Sequence, residues 1–196
     1  GDVANDFNPL YDLHNHPIAQ DRNRFTGSTR MRWRMLDWLS AEGSFGYDQE
    51  AQAYSEEVPY GFFLSTGTKT PGFLYKSSSN NWQYNTGVTV ASVRRFGEML
   101  TNTTRVGVSY ELQKNRFLST QAGDLVVARV PEFAAANAST LGSSSRDETF
   151  KTQSYLAMTT FDIKDRYVLD GLVRRDGSSL FGPESRWSTY YRASAS

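Results

Sequence analysis

Cysteine is missing from the 196 residues, which excludes a disulfide framework, a thiolate zinc site and a cysteine nucleophile. Neither charge is in excess: 21 Lys and Arg stand against 21 Asp and Glu, a net charge of zero. Without a basic surplus there is little to release counterions from phosphates, so no nucleic-acid partner is expected. Long apolar runs are missing as well. The longest, such as Leu125–Ala128, fall far short of the roughly 18 to 20 residues a membrane-spanning helix needs. The chain opens Gly-Asp-Val, with no basic stretch followed by an apolar one, so no targeting segment is expected and the sequence reads as a fragment.

What the sequence does have is rings. Trp, Tyr and Phe number 4, 11 and 12, together 14% of a chain that is only 38% hydrophobic with a mean hydropathy of −0.56. They fall in segments that alternate apolar and polar residues, the period of a half-buried strand. Phe25, Gly27, Thr29, Met31 and Trp33 alternate with Arg30, Arg32 and Arg34. After a short connection at 35–37, Leu39, Ala41, Gly43, Phe45 and Tyr47 alternate with Ser40, Glu42 and Ser44. The cleanest case sets Thr104, Val106, Val108, Tyr110 and Leu112 against Arg105, Gly107, Ser109, Glu111 and Gln113.

The reading is all-β: an antiparallel meander of seven strands near 24–34, 38–48, 82–96, 100–114, 149–161, 166–180 and 186–196. Residues 1–21, with Pro9 and Pro17, are expected as a loop or extended arm. Short turns at 97–99 and 162–165 alternate with long loops at about 49–81 and 115–148, the second holding a short helix near 131–138. Loops of about thirty residues are unusual in a compact soluble domain. Outer-membrane barrels, by contrast, pair short periplasmic turns with long extracellular loops, on tilted strands of roughly 9 to 11 residues. Trp33, Trp38, Tyr47, Tyr84, Tyr110, Tyr155, Tyr167, Trp187 and Tyr191 lie near expected strand ends, where such barrels carry aromatic girdles.

The stretch from Asp162 to Trp187, DIKDRYVLDGLVRRDGSSLFGPESRW, resembles the barrel signature of SusC/RagA-type TonB-dependent outer-membrane transporters. The matching residues are Arg174 or Arg175, Asp176, Gly177, Ser178, Ser179, Phe181, Gly182 and Trp187. Leu180 departs from the family's usual arginine, which puts one loop contact in doubt. The segment Arg22–Tyr47, with Trp38-Leu39 after a short turn, is similar to a preceding barrel hairpin. The resemblance implies a segment of a transmembrane β-barrel of about 22 strands. That segment is expected to occupy residues 22–196, without a plug or TonB box. It further implies an importer of oligosaccharides or peptides in the outer membrane of a Gram-negative, Bacteroidetes-like bacterium. Its implied partners are the rest of the barrel and the plug, a SusD-like lipoprotein, the TonB complex acting through the plug, and outer-membrane lipid.

Sites are few. Asp12, His14 and His16 form an Asp-x-His-x-His run whose histidines would point the same way on a strand, but no third ligand stands at a diagnostic spacing, so no metal is assigned. No Gly-x-Ser-x-Gly elbow or paired carboxylates appear, so no enzyme and no cofactor are expected. Asp176-Gly-Ser-Ser179 reads as turn chemistry, with glycine supplying a positive φ and Asp and Ser capping backbone amides. Arg30, Arg32, Arg34, Glu42, Arg105, Glu111, Asp170 and Arg174 would form a wet face, pairing with one another or gripping a plug more than touching cargo. The loop aromatics Tyr60, Phe62, Phe63, Phe73, Tyr75 and Trp82 are the candidates for stacking on a sugar or clamping a peptide. The alternative reading is a soluble all-β carbohydrate-binding module, in which two sheets would bury the apolar faces against each other.

Overall fold

The structure, a computed structural model, describes residues 9–63, 67–127 and 130–196. It is nearly all-β. One short helix, α1 (Pro9–Asn15), precedes β1 (Ile18–Leu36), β2 (Leu39–Val58), β3 (Phe73–Phe96), β4 (Leu100–Gly123), β5 (Gly142–Ile163), β6 (Tyr167–Ser178) and β7 (Trp187–Ala195). All seven strands belong to one antiparallel meander in the order β1-β2-β3-β4-β5-β6-β7. Ile163 faces Tyr167 at the tight β5–β6 turn, and Gly177 faces Trp187 where β6 meets β7. A sandwich would need a second sheet, and the described strands supply none.

The strands are longer than their apolar alternation predicts. β3 and β4 each run for 24 residues and β5 for 22. Much of the expected loop at 49–81 is therefore strand: β2 continues to Val58 and β3 begins at Phe73. Likewise β4 runs on to Gly123 and β5 begins at Gly142, inside the expected loop at 115–148. Ser77-Ser78-Ser79 sits within β3. Where polar residues occupy both faces of a strand, the period-2 contrast vanishes although the backbone ladder continues.

The expected arm differs too. Residues 1–8 lie outside the described part, as does Ala128 of the Leu125–Ala128 run. Pro9 opens α1 at a position where its missing N–H costs nothing, and Ile18–Asp21 already belongs to β1. The helix expected near 131–138 is two single 3-10 turns, 133–135 and 138–140. No described helix is long and apolar enough to cross a membrane.

The chain divides into two compact units. Unit 1 comprises residues 1–24, 50–81 and 115–147; unit 2 comprises 25–49, 82–114 and 148–196. Among the described residues the buried hydrophobic side chains are Phe62, Leu74, Ala122, Leu125 and Ala135, all of them in unit 1.

Unit 1 owes its core to loop backbone that folds inward. Gly72 has φ +87°, and a Cβ there would stand 3.0 Å from both Leu125 and the Tyr60 amide, so only glycine fits. Leu125 N–H donates to Pro71 O at 2.8 Å, and Gly61 N–H and Thr70 O close the loop at 2.9 Å. Lys76 Nζ donates to Pro131 O at 3.0 Å. These bonds satisfy polar backbone in a connection that lacks secondary structure.

Unit 2 is built differently. Among its described residues no hydrophobic side chain is buried, while Phe25, Met31, Trp33, Phe45, Val88, Val106, Leu169, Val173 and Tyr191 are exposed. Met31 is 75% exposed and Trp33 67%. A sheet that presents such side chains and buries none of them has no core of its own.

Candidate functional site

Alternation separates the two faces of unit 2. On one face the rings of Phe25 and Tyr47 lie 6.0 Å apart, and those of Tyr47 and Tyr84 lie 4.9 Å apart, forming an aromatic row across β1, β2 and β3. On β5 and β7, Tyr155 stacks on Trp187 at 5.9 Å, with the Arg175 guanidinium 5.1 Å from the Trp187 ring. At the turn end of the sheet Arg94 lies 3.7 Å over Trp38. Tilted or edge contacts at these distances are the favoured geometry for rings, and the amphipathic residues Trp and Tyr suit a boundary between apolar and wet surroundings.

The other face is polar and paired. Glu42 receives Arg32 at 2.7 Å and Arg30 at 3.4 Å. Gln83 donates to Glu111 at 2.9 Å, Thr160 donates to Asp170 at 2.6 Å, and Arg174 donates to Asp176 at 2.9 Å. Among the described residues, the wet-face residues expected from sequence thus fall into pairs, with two exceptions, Arg34 and Arg105. Exposed pairs of this kind are screened by solvent and add little stability.

The structure disperses the aromatics singled out from sequence. Phe62 is buried, its ring 5.2 Å from Tyr11 and 6.0 Å from His16, so it offers no free face to a ligand. Tyr60 and Phe63 are exposed, with Lys69 Nζ 5.1 Å above the Phe63 ring. Phe73 and Tyr75 are partly buried on β3, where Tyr75 meets Tyr54 edge-on at 5.9 Å. Trp82, also on β3, belongs to unit 2.

The histidines lie on and just beyond a helix, where a loop or extended arm was expected, and they part company. His14 is exposed, while His16 points Nδ1 at Asp12 (3.3 Å) and Nε2 at Glu56 (3.0 Å). Residues two apart on a helix do not share a face. Among the described residues no cluster of three or more His, Cys, Asp or Glu is placed to hold a metal. Sequence reading missed the role of His16, because its partner Glu56 lies in a segment expected to be loop.

Within the Arg174–Trp187 motif, the glycine does not play the part expected of it. Gly177 lies within β6 without a positive φ; the glycines that have one are Gly61, Gly67, Gly72 and Gly97. Its missing side chain instead makes room for Trp187. The serines do cap backbone: Ser179 Oγ accepts from Lys151 N–H at 2.8 Å and Ser178 Oγ from Leu180 N–H at 3.3 Å. Asp176 pairs with Arg174. Phe181 is exposed, and Gly182 O accepts from Ser185 N–H at 3.1 Å.

No family model matches the sequence, and no curated protein does. Solved structures match at low identity. The RagAB peptide transporter superposes with a TM-score of 0.85 at 14% identity, over 95% of this chain and 21% of that one. Its fold is that of a stretch of the transporter chain. The RagAB peptide importer in the closed-closed state gives 0.82 at 14% identity, over 93% of this chain and 20% of that one. BauA, the ferric preacinetobactin receptor from Acinetobacter baumannii, gives 0.50 at 12% identity, over 92% and 28% respectively. The chain therefore spans between a fifth and just over a quarter of the length of these structures.

Proposed function

We propose that this chain is a section of barrel wall from an outer-membrane, TonB-dependent importer of the SusC/RagA type. The observation that carries the reading is unit 2: a sheet with an exposed aromatic and aliphatic face, a paired polar face and no buried hydrophobic side chain among its described residues. An apolar surface of that extent needs an apolar partner. Lipid supplies one without a second sheet, and the polar face then borders an aqueous lumen. The fold likeness to the RagAB peptide transporter supports the same reading.

In that reading the chain makes and breaks no bonds. Oligosaccharides or peptides are the cargo, and the exposed rings Tyr60 and Phe63 of unit 1 are the best-placed aromatics to meet it. The two edge strands β1 and β7 require neighbouring strands of the same barrel, since open edges are not viable in lipid. A plug answering to TonB and a SusD-like lipoprotein lid complete the importer, in a Bacteroidetes-like outer membrane.

The test is whether the purified chain stays in solution without detergent, followed by size-exclusion chromatography with light scattering and far-UV circular dichroism. The proposal predicts β structure that needs detergent to remain dispersed. A monodisperse, detergent-free monomer with a cooperative melt would refute it.

A further inference from the structure

Next to the β1–β2 turn, the polar face of unit 2 opens into a cleft of about 530 Å³. Its charged lining is Arg32, Arg34, Arg105, Glu42 and Asp37. Glu42 is consumed by Arg32 and Arg30. The side chains of Arg34 and Arg105, both exposed, make no hydrogen bond or ion pair among the described residues, and Asp37 pairs with neither. Two guanidiniums from different strands, without a protein partner among the described residues, therefore open on one hollow, beside a third already committed.

The rest of the lining narrows what the hollow takes. Ser40, Thr89 and Ala91 are small, which lets a ligand backbone approach the sheet, and Trp38, Leu39 and Val93 give an apolar wall. The volume lies within the range of about 300 to 1,000 Å³ typical of organic ligand sites, far larger than an inorganic anion needs. A neutral sugar would leave both guanidiniums without a charge partner.

We propose that this cleft binds an extended polypeptide segment through its side-chain carboxylates, with Arg34 and Arg105 as the two binding forks. Arginine presents paired N–H donors that match a carboxylate, and such charge-assisted bonds are shorter and stronger than neutral ones. The inference goes beyond the barrel reading and does not depend on it, since it uses only groups within unit 2.

The experiment is fluorescence anisotropy on the full chain folded in zwitterionic detergent. The probe is a labelled, blocked peptide Ala-Glu-Glu-Ala; its Gln counterpart and inorganic phosphate serve as competitors. The acidic peptide should bind, more weakly as salt screens the guanidiniums. The Gln peptide should compete roughly tenfold less well, in line with the loss of a charged hydrogen bond. Arg34→Gln with Arg105→Gln should weaken binding by about the same factor. Arg34→Lys with Arg105→Lys, which keeps the charge but not the fork, should fall in between, so the test survives misfolding of the Gln variant. Unchanged affinity in either double variant, or equal competition by the Gln peptide, would overturn the proposal. Phosphate displacing the peptide at equal concentration would also overturn it, marking a bare anion site.

Discussion

Trp187 occupies the space that a side chain on Gly177 would fill: a Cβ there would stand 2.7 Å from the indole. The two residues face each other across the β6–β7 ladder, and the ring reaches over the glycine to stack on Tyr155. Gly177→Val should therefore destabilise the folded chain by about 1 to 3 kcal/mol, the usual cost of overpacking. With Trp187→Ala in the background the penalty should largely vanish. Urea midpoints of the four variants in detergent measure this coupling; additive effects would show that the ring and the glycine do not interact.

The β5–β6 turn carries two non-glycine residues in left-handed backbone, Lys164 at φ 58° and Asp165 at φ 52°. Asp165→Gly removes the Cβ crowding that this conformation imposes, a strain of about 1 kcal/mol. The variant should unfold at higher urea than the parent. Lys164→Val, which adds a branched Cβ in the same backbone, should unfold at lower urea.

Gly72 is the corresponding position in unit 1, where positive φ coincides with 3.0 Å approaches to Leu125 and the Tyr60 amide. Gly72→Ala should cost about 1 kcal/mol or more. Hydrogen exchange should show its effect at Leu125 N–H, bonded to Pro71 O, before it reaches the β5–β6 ladder.

Tyr54 donates to Glu56 Oε2 at 3.0 Å, and this hydrogen bond to a carboxylate, with burial and the negative charge adding to it, holds the phenol above its ordinary pKa. A raised pKa means that the protonated phenol is favoured by folding. Its contribution is full below the ordinary tyrosine pKa of about 10 and is lost as pH climbs through the folded value. Unit 1 should thus loosen in the alkaline range by a step that Tyr54→Phe removes. Absorbance titration of the phenolate beside proteolytic nicking of 59–72 tests it.

His16 joins α1 to β2 by lying between Asp12 and Glu56, while Tyr11 Oη accepts Phe63 N–H at 3.2 Å. His16→Ala should release residues 9–16 to protease with little change in far-UV signal, because the helix holds only 7 residues. Equal protease resistance would mean that Tyr11 and Phe62 suffice.

The inner parts of the strands were legible because one face is apolar and the other charged: Met31 and Trp33 against Arg30, Arg32 and Arg34 set both period and register. The turn at 97–99 falls where that alternation reverses, as expected, while the connection expected at 35–37 lies at 37–38. The outer parts were not legible. In Ser77-Ser78-Ser79 both faces are polar, and α1 is too short for a helical period to develop. The packing of Phe62 on Tyr11 joins residues 51 positions apart, as their numbers show. No local pattern encodes such a contact. The same holds for the unpaired state of Arg34 and Arg105, which depends on Glu42 being taken by Arg30 and Arg32.

The central claim, that the ring-bearing face of unit 2 meets lipid, is tested most directly by tryptophan quenching. A variant of the chain retaining only Trp33 would be reconstituted in bilayers carrying bromine at defined depths on the acyl chains. The account predicts strong quenching of Trp33, which is 67% exposed on the apolar face, at a shallow, interfacial bromine position. Trp33 emission untouched by brominated lipid but quenched by aqueous iodide would contradict it.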